Sequence, residues 1–191
     1  KAELSKIVKE RMRERETLSL RLTELRNALE SLDASRIKRR EEVKYRIVQL
    51  CVDALRADLP MEEAFVNAEL VDFDFGQNRL AVNGRVKFSA SSSTYLKNAF
   101  LFSLFQLSLE DSEVRWPRFI LLDNIEDKGM RPERSANFQE YVVRSLLEAK
   151  VTHQVIMTTS MISERLENSD YCVGAHFVPQ NKTLKFAVAK D

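Results

Sequence analysis

Glycine and proline are scarce in this 191-residue sequence, four of each, and their placement excludes a good deal. Neither occurs in residues 1–59: the first proline is Pro60 and the first glycine Gly76. A P-loop needs glycines at two positions five apart, followed by Lys and Ser or Thr. Gly76, Gly84, Gly129 and Gly174 supply no such pair, so the chain cannot cradle a nucleoside triphosphate in that way by itself. The two cysteines, Cys51 and Cys172, lie far apart in apolar stretches, which excludes a disulfide framework and fits reduced thiols of a cytosolic protein. Two histidines without metal-ligand spacing exclude a zinc site. No Ser-His-Asp or Cys-His nucleophile arrangement can be assembled from recognisable motifs. No uninterrupted apolar run reaches membrane-spanning length. The net charge of +1 gives the whole chain no case for polyanion binding. Lys1 opens inside a helical pattern and shows no signal-peptide profile. The expectation is a piece of a longer cytoplasmic protein, with nucleoid association left open.

What is present is charge and leucine. Charged residues reach 31%, above the usual quarter or so, and residues 1–58 read as one helix that enters the globular part. Leu18, Leu22, Leu25, Leu29 and Leu32 step by four and three residues, the seam of a coiled coil. Arg21, Glu24, Arg26 and Glu30 keep the other faces wet. The block Arg36, Lys38, Arg39, Arg40 reads as a solvated face partly neutralised by Glu41 and Glu42, or as a DNA-phosphate contact. From Tyr45 to Leu55 the pattern turns apolar, and Pro60 stops the helix.

Residues 59–191 read as an α/β domain. Short strands are expected within 67–88, turned by Gly76-Gln77-Asn78 and Asn83-Gly84. A Leu/Phe-rich helix is expected over 91–109, opened by serines suited to capping. Phe119–Leu122 and Val155–Thr158 read as buried strands, Pro132–Ala149 as a helix, and Tyr171–Val178 with Thr183–Ala189 as a terminal hairpin. Buried strands alternating with helices predict a largely parallel sheet flanked by helices.

The strongest local motif is Arg118-Phe119-Ile120-Leu121-Leu122-Asp123, a bulky apolar strand that delivers a carboxylate at its C-terminal edge. That has the Walker B form, in which the carboxylate holds Mg²⁺ beside nucleotide phosphates. Before it, Phe88-Ser89-Ala90-Ser91-Ser92 precedes a long helix, and after it Gln154–Ser160 is a strand with a hydroxyl tip. Ser89 and the amides at that helix start could face a phosphate, or the serines could serve only as an N-cap. Glu62, Glu63, Asp72 and Asp74 read as ordinary edge and turn carboxylates. Trp116 and Phe100, Phe102 and Phe105 read as packing residues.

In order and spacing, more than in identity, nearly the whole chain resembles the C-terminal lobe of ABC-type ATPase heads. The likeness is to SMC proteins and their double-strand-break-repair relatives. The resemblance implies a P-loop NTPase head split between two lobes, with a long coiled coil feeding this one. It implies that Ser89, Ala90, Ser91 and Ser92 stand in the signature loop, which meets ATP on a second head. It implies Asp123 as the Mg²⁺ ligand, Lys128 and Gly129 in the D-loop, and Ser160 at the place of the switch histidine. Three departures stand out. Ala90 and Ser91 replace the signature glycines. Asn124 replaces the glutamate that activates water, leaving Glu126 or Asp127 as nearby carboxylates. Ser160 or Thr159 replaces the histidine, and His153 lies at the other end of the strand. The implied cofactors are ATP and Mg²⁺. The implied partners are an N-terminal lobe, a second head, DNA and accessory subunits. The expected function is an ATP-driven, DNA-associated machine in genome maintenance, repair or defence against foreign DNA, inactive as this fragment alone. The alternative is an ATP-gated clamp or scaffold with little turnover.

Overall fold

The computed structural model describes residues 2–174. It divides into two compact units, Lys1–Leu50 and Cys51–Asp191, a boundary eight residues before the one expected at 58. A single helix, α1, runs from Ala2 to Arg56 and crosses that boundary. In the first unit the leucine seam is bare: Leu18 is 63% exposed and Leu32 58%. Its surface ion pairs, Arg11–Glu14 and Arg21–Glu24, join neighbours one turn apart, each contributing a few tenths of a kcal/mol. Lys38 and Arg40 of the basic block lie near Glu42 and Glu41.

The second unit is a mixed helix and sheet structure. After α1 come a one-turn helix α2 (Glu63–Val66) and strands β1 (Val71–Asp74) and β2 (Arg79–Val82). Then follow α3 (Ala90–Glu110), β3 (Phe119–Leu122), α4 (Pro132–Leu146) and β4 (Gln154–Met157). β1 and β2 form an antiparallel hairpin with Val71 opposite Val82. Asn83 and Gly84 follow it with φ of 49° and 79°, a two-residue turn closed by a Val82–Arg85 bridge. β3 and β4 pair in parallel, Phe119 opposite Gln154 and Leu122 opposite Met157. The expected largely parallel sheet is therefore not what forms among the described residues. There are two separate sheets of two strands, one of each kind. The Asn-Gly and Gly-containing turns fold residues 71–85 onto themselves, so that segment makes a local hairpin and does not extend β3 and β4. The expected terminal hairpin lies outside the described residues except for 171–174, which carry no strand.

The core gathers around α3. Tyr95, Ala99, Phe102 and Phe105 are fully buried, as are Phe138 of α4 and Leu55 at the end of α1. Phe138 meets Tyr95 edge-on at 5.3 Å between ring centres. The Tyr95 hydroxyl donates to the Ala54 carbonyl at 3.1 Å. Burying a Leu or Phe side chain such as Leu55, Phe102, Phe105 or Phe138 contributes about 1.5–3 kcal/mol. Phe100, Phe102 and Phe105 are core, as expected, whereas Trp116 is 39% exposed and anchors little. Among the described residues no helix is long and apolar enough to cross a membrane.

Candidate functional site

The residues expected to carry chemistry fall into two neighbourhoods, both built from turns that follow or precede regular elements. The first lies at the start of α3. Ser89 is its N-cap, with φ of −57° and ψ of 160°, and its side chain accepts the Ser92 amide at 3.2 Å. Ser91 and Ser92 follow in the first turn, where free amides and the helix dipole create a positive end. Together with Gly129, Arg131 and Arg134, these three serines line a cavity of about 340 Å³. Gly129 has φ of +75° with no atom within 4 Å of where a Cβ would stand. Its backbone conformation, and not a steric contact, is what calls for glycine.

Beneath the serines sits Arg134, 2% exposed and the largest fully buried side chain described. Its Nε and Nη2 grip both carboxylate oxygens of Asp58, and its Nη1 donates to the Ser92 hydroxyl at 3.1 Å. The guanidinium also lies 4.8 Å from the Tyr95 ring centre. Burial raises the Asp58 carboxyl above its ordinary value, opposed by Arg134 and by the Leu59 amide. The sequence alone hid this pair, because Asp58 and Arg134 are 76 positions apart and charged residues are expected outside.

The second neighbourhood is the tip shared by β3 and β4. Asp123 emerges exposed at the end of β3. The Thr158 hydroxyl, just past β4, donates to one Asp123 oxygen and accepts the Asn124 amide at 2.7 Å. Asn124 takes φ of 51°, a left-handed conformation that Asn tolerates. Glu126 turns inward and is 6% exposed. Its Oε1 accepts the Ser160 amide and, at 2.8 Å, the Ser160 hydroxyl. Burial pushes the Glu126 carboxyl up. The Ser160 amide and the hydroxyls of Thr159 and Ser160 outweigh that and hold it below the usual carboxylate value. Its Oε2 is buried with no partner in the described structure.

Ser89, Ser91, Ser92 and Gly129 thus come together at one cavity, with Ala90 as the first residue of α3. Asp123, Asn124, Glu126 and Ser160 come together at the strand tip through Thr158 and Ser160. Lys128, with φ of 65°, pairs with Asp127 at 3.5 Å and does not line the cavity. His153 bonds the Val151 carbonyl at 2.8 Å, away from the tip. No described group of three or more His, Cys, Asp or Glu could hold a metal by itself. Asp123 is an exposed carboxylate oriented by Thr158; Mg²⁺ sites in general use one or two carboxylates and complete the shell with phosphate and water. Met61, Arg131 and Arg134 of the cavity lining were not singled out by motif spacing, and Thr158, read only as part of a hydroxyl strand tip, bonds Asp123. No protein-family model, no curated protein and no solved structure matches this chain.

Proposed function

We propose that this chain is the C-terminal lobe of an SMC-like, ABC-type ATPase head that pairs with a second head around ATP and couples that pairing to DNA. The observation that carries the reading is the 340 Å³ cavity, where the serine turn 89–92 and Gly129 meet. These are the two segments assigned to the signature loop and the D-loop from sequence order alone. Hydroxyls, α3 amides and Arg131 give the cavity an anion-binding character. Asp123 is the residue for Mg²⁺ within its own head, oriented by Thr158. Mg²⁺ bound there would neutralise charge on the transferred phosphate. An N-terminal lobe would bring the P-loop that this sequence lacks, and the bare leucine seam of α1 would pair with the coil returning from it. The uncovered apolar side chains of β3 and β4, Phe119, Leu121 and Ile156, fit the same partner, since parallel sheets are normally covered on both faces.

A second reading, an ATP-gated clamp with little turnover, is favoured by one observation. Asn124 cannot take a proton, and the nearby Glu126 carboxylate is already engaged by Ser160. The test uses complete heads. Asp123→Ala should abolish hydrolysis with a loss of metal-assisted binding in its own head. Ser89→Arg should leave that binding intact and block ATP-dependent pairing, read by sedimentation. Ser89→Arg heads that pair and turn over at the normal rate would remove the signature-loop assignment. Single-turnover hydrolysis at a rate typical of active heads would exclude the clamp.

A further inference from the structure

Arg134 does more than neutralise a buried charge. Its fork toward Asp58 occupies Nε and Nη2, while Nη1 points the other way and donates to Ser92 Oγ. A serine hydroxyl has one proton and two lone pairs. With one lone pair filled by a guanidinium, the Ser92 hydroxyl makes no other hydrogen bond among the described residues. Its proton therefore remains to be donated, and Ser92 lines the cavity. The neighbouring positive charge polarises that O–H and strengthens it as a donor. The Ser92 amide is meanwhile tied back to Ser89 Oγ, so Ser92 is held both by the N-cap and, through its hydroxyl, by Arg134. Asp58 in turn holds the guanidinium: two carboxylate oxygens and the stacked Tyr95 ring leave it one orientation.

We infer that Arg134 is the positioning residue of the serine turn. It orients Ser92 as a hydroxyl donor to a phosphate oxyanion in the cavity, and Asp58 fixes its orientation. The inference rests on the signature-loop reading for the identity of the anion, but its geometry is independent of that reading. It also ties the segment just after α1, which lines the cavity at Met61, to Ser92 through the guanidinium that Asp58 holds.

The test takes complete heads carrying Ser92→Ala, Arg134→Lys or both, with Mg·ATP as the probe. Pairing is read by sedimentation, and amide exchange over residues 89–93 is followed in the same proteins. A hydroxyl donating to a charged oxygen is worth roughly tenfold or more in affinity. Ser92→Ala should therefore weaken ATP-dependent pairing by about that factor while nucleotide binding within one head is unchanged. Arg134→Lys keeps the charge but loses the fork. It should weaken pairing similarly and speed exchange over 89–93 by about tenfold, a loosening that Ser92→Ala shares only in part. The double variant should pair no worse than Ser92→Ala alone, because the two act on one bond. Normal pairing by Ser92→Ala, with pairing still blocked by Ser89→Arg, overturns the inference and leaves the functional reading standing. If wild-type heads do not pair on ATP, the functional reading fails. The exchange data then decide the positioning role: faster exchange in Arg134→Lys supports it, and unchanged exchange overturns it.

Discussion

Replacing Arg134 by Met keeps much of the side-chain volume and deletes the guanidinium. Asp58, whose side chain is 1% exposed, is then left without a counter-ion. Breaking a buried pair from one side costs about 3–5 kcal/mol, because the remaining charge stays desolvated. The stacking on Tyr95 and the bond to Ser92 are lost as well; these overlap with the pair and are not added to it. The expected loss is about 4 kcal/mol at pH 7, a large part of the roughly 5–15 kcal/mol that holds a domain together. At about 3 °C per kcal/mol for a unit of this size, melting falls by about 12 °C. The loss has a pH signature. Burial already raises the Asp58 carboxyl, and without Arg134 it acts nearly unopposed. The folded chain then keeps a proton that the unfolded chain, with an Asp value of about 3.9, has released. Where the folded state binds more protons, stability falls as pH rises. The penalty of Arg134→Met should therefore grow from pH 4 to pH 7. Asp58→Leu with Arg134→Met removes both charges and should recover most of the stability. Urea unfolding followed by circular dichroism at several pH values reads all of this. A loss under 1 kcal/mol at pH 7, or one independent of pH, would refute the reasoning.

Other outcomes follow from the same geometry. Cys51 is fully buried and its thiol is pushed up to about 12 by burial, against a lowering bond with the Ser103 hydroxyl. In the native chain a thiol reagent should label Cys172, which is half-buried, and spare Cys51 until denaturant is added. Glu126→Gln should loosen the tip at Ser160, seen as faster amide exchange there. In the wild type, that protection should be present above the unfolded Glu value of about 4.3 and be lost as pH falls through the lower folded value. Leu25→Arg places charge in the bare α1 seam. It should leave the melting of the Cys51–Gly174 region within about 0.5 kcal/mol, as exposed substitutions do, and should abolish any coil pairing measured by crosslinking.

Periodic features were legible in the sequence, and long-range ones were not. Leucine spacing and the absence of glycine and proline sufficed for α1, which ends at Arg56, two residues short of the expected limit. Pro132 at the first turn marked the start of α4, and the serine cluster marked the start of α3. β3 matched its expected bounds, and β4 begins one residue earlier than expected. Phe119–Leu122 and Val155–Thr158 read as buried strands, but β3 is buried only at every second residue and β4 at none; an apolar run also does not say which strand it joins, so the sheet organisation was misjudged. Residues 71–85 had the turn chemistry to pair with themselves, and did so. Motif order pointed to Ser89, Asp123 and Gly129, of which Ser89 and Gly129 line one cavity. It could not find Thr158 as the bridge to Asp123, nor Arg134 as the support of Ser92, since both relations exist only after α3, α4 and β4 pack.

The parallel pairing of β3 with β4 bears on how this protein must be made. A hairpin can close as soon as its two strands exist, but parallel neighbours wait for the crossover between them. Here α4 must form and dock before β4 can reach β3. In that interval β3 presents Phe119 and Leu121, about half exposed even in the finished chain, on a strand with open hydrogen-bonding edges. Such a segment templates association with other unfinished copies. Synthesis of this chain on its own should therefore be limited by aggregation, more severely as expression is faster and warmer. Supplying a polypeptide that covers β3 during translation should raise the soluble yield more than any substitution in the core of α3.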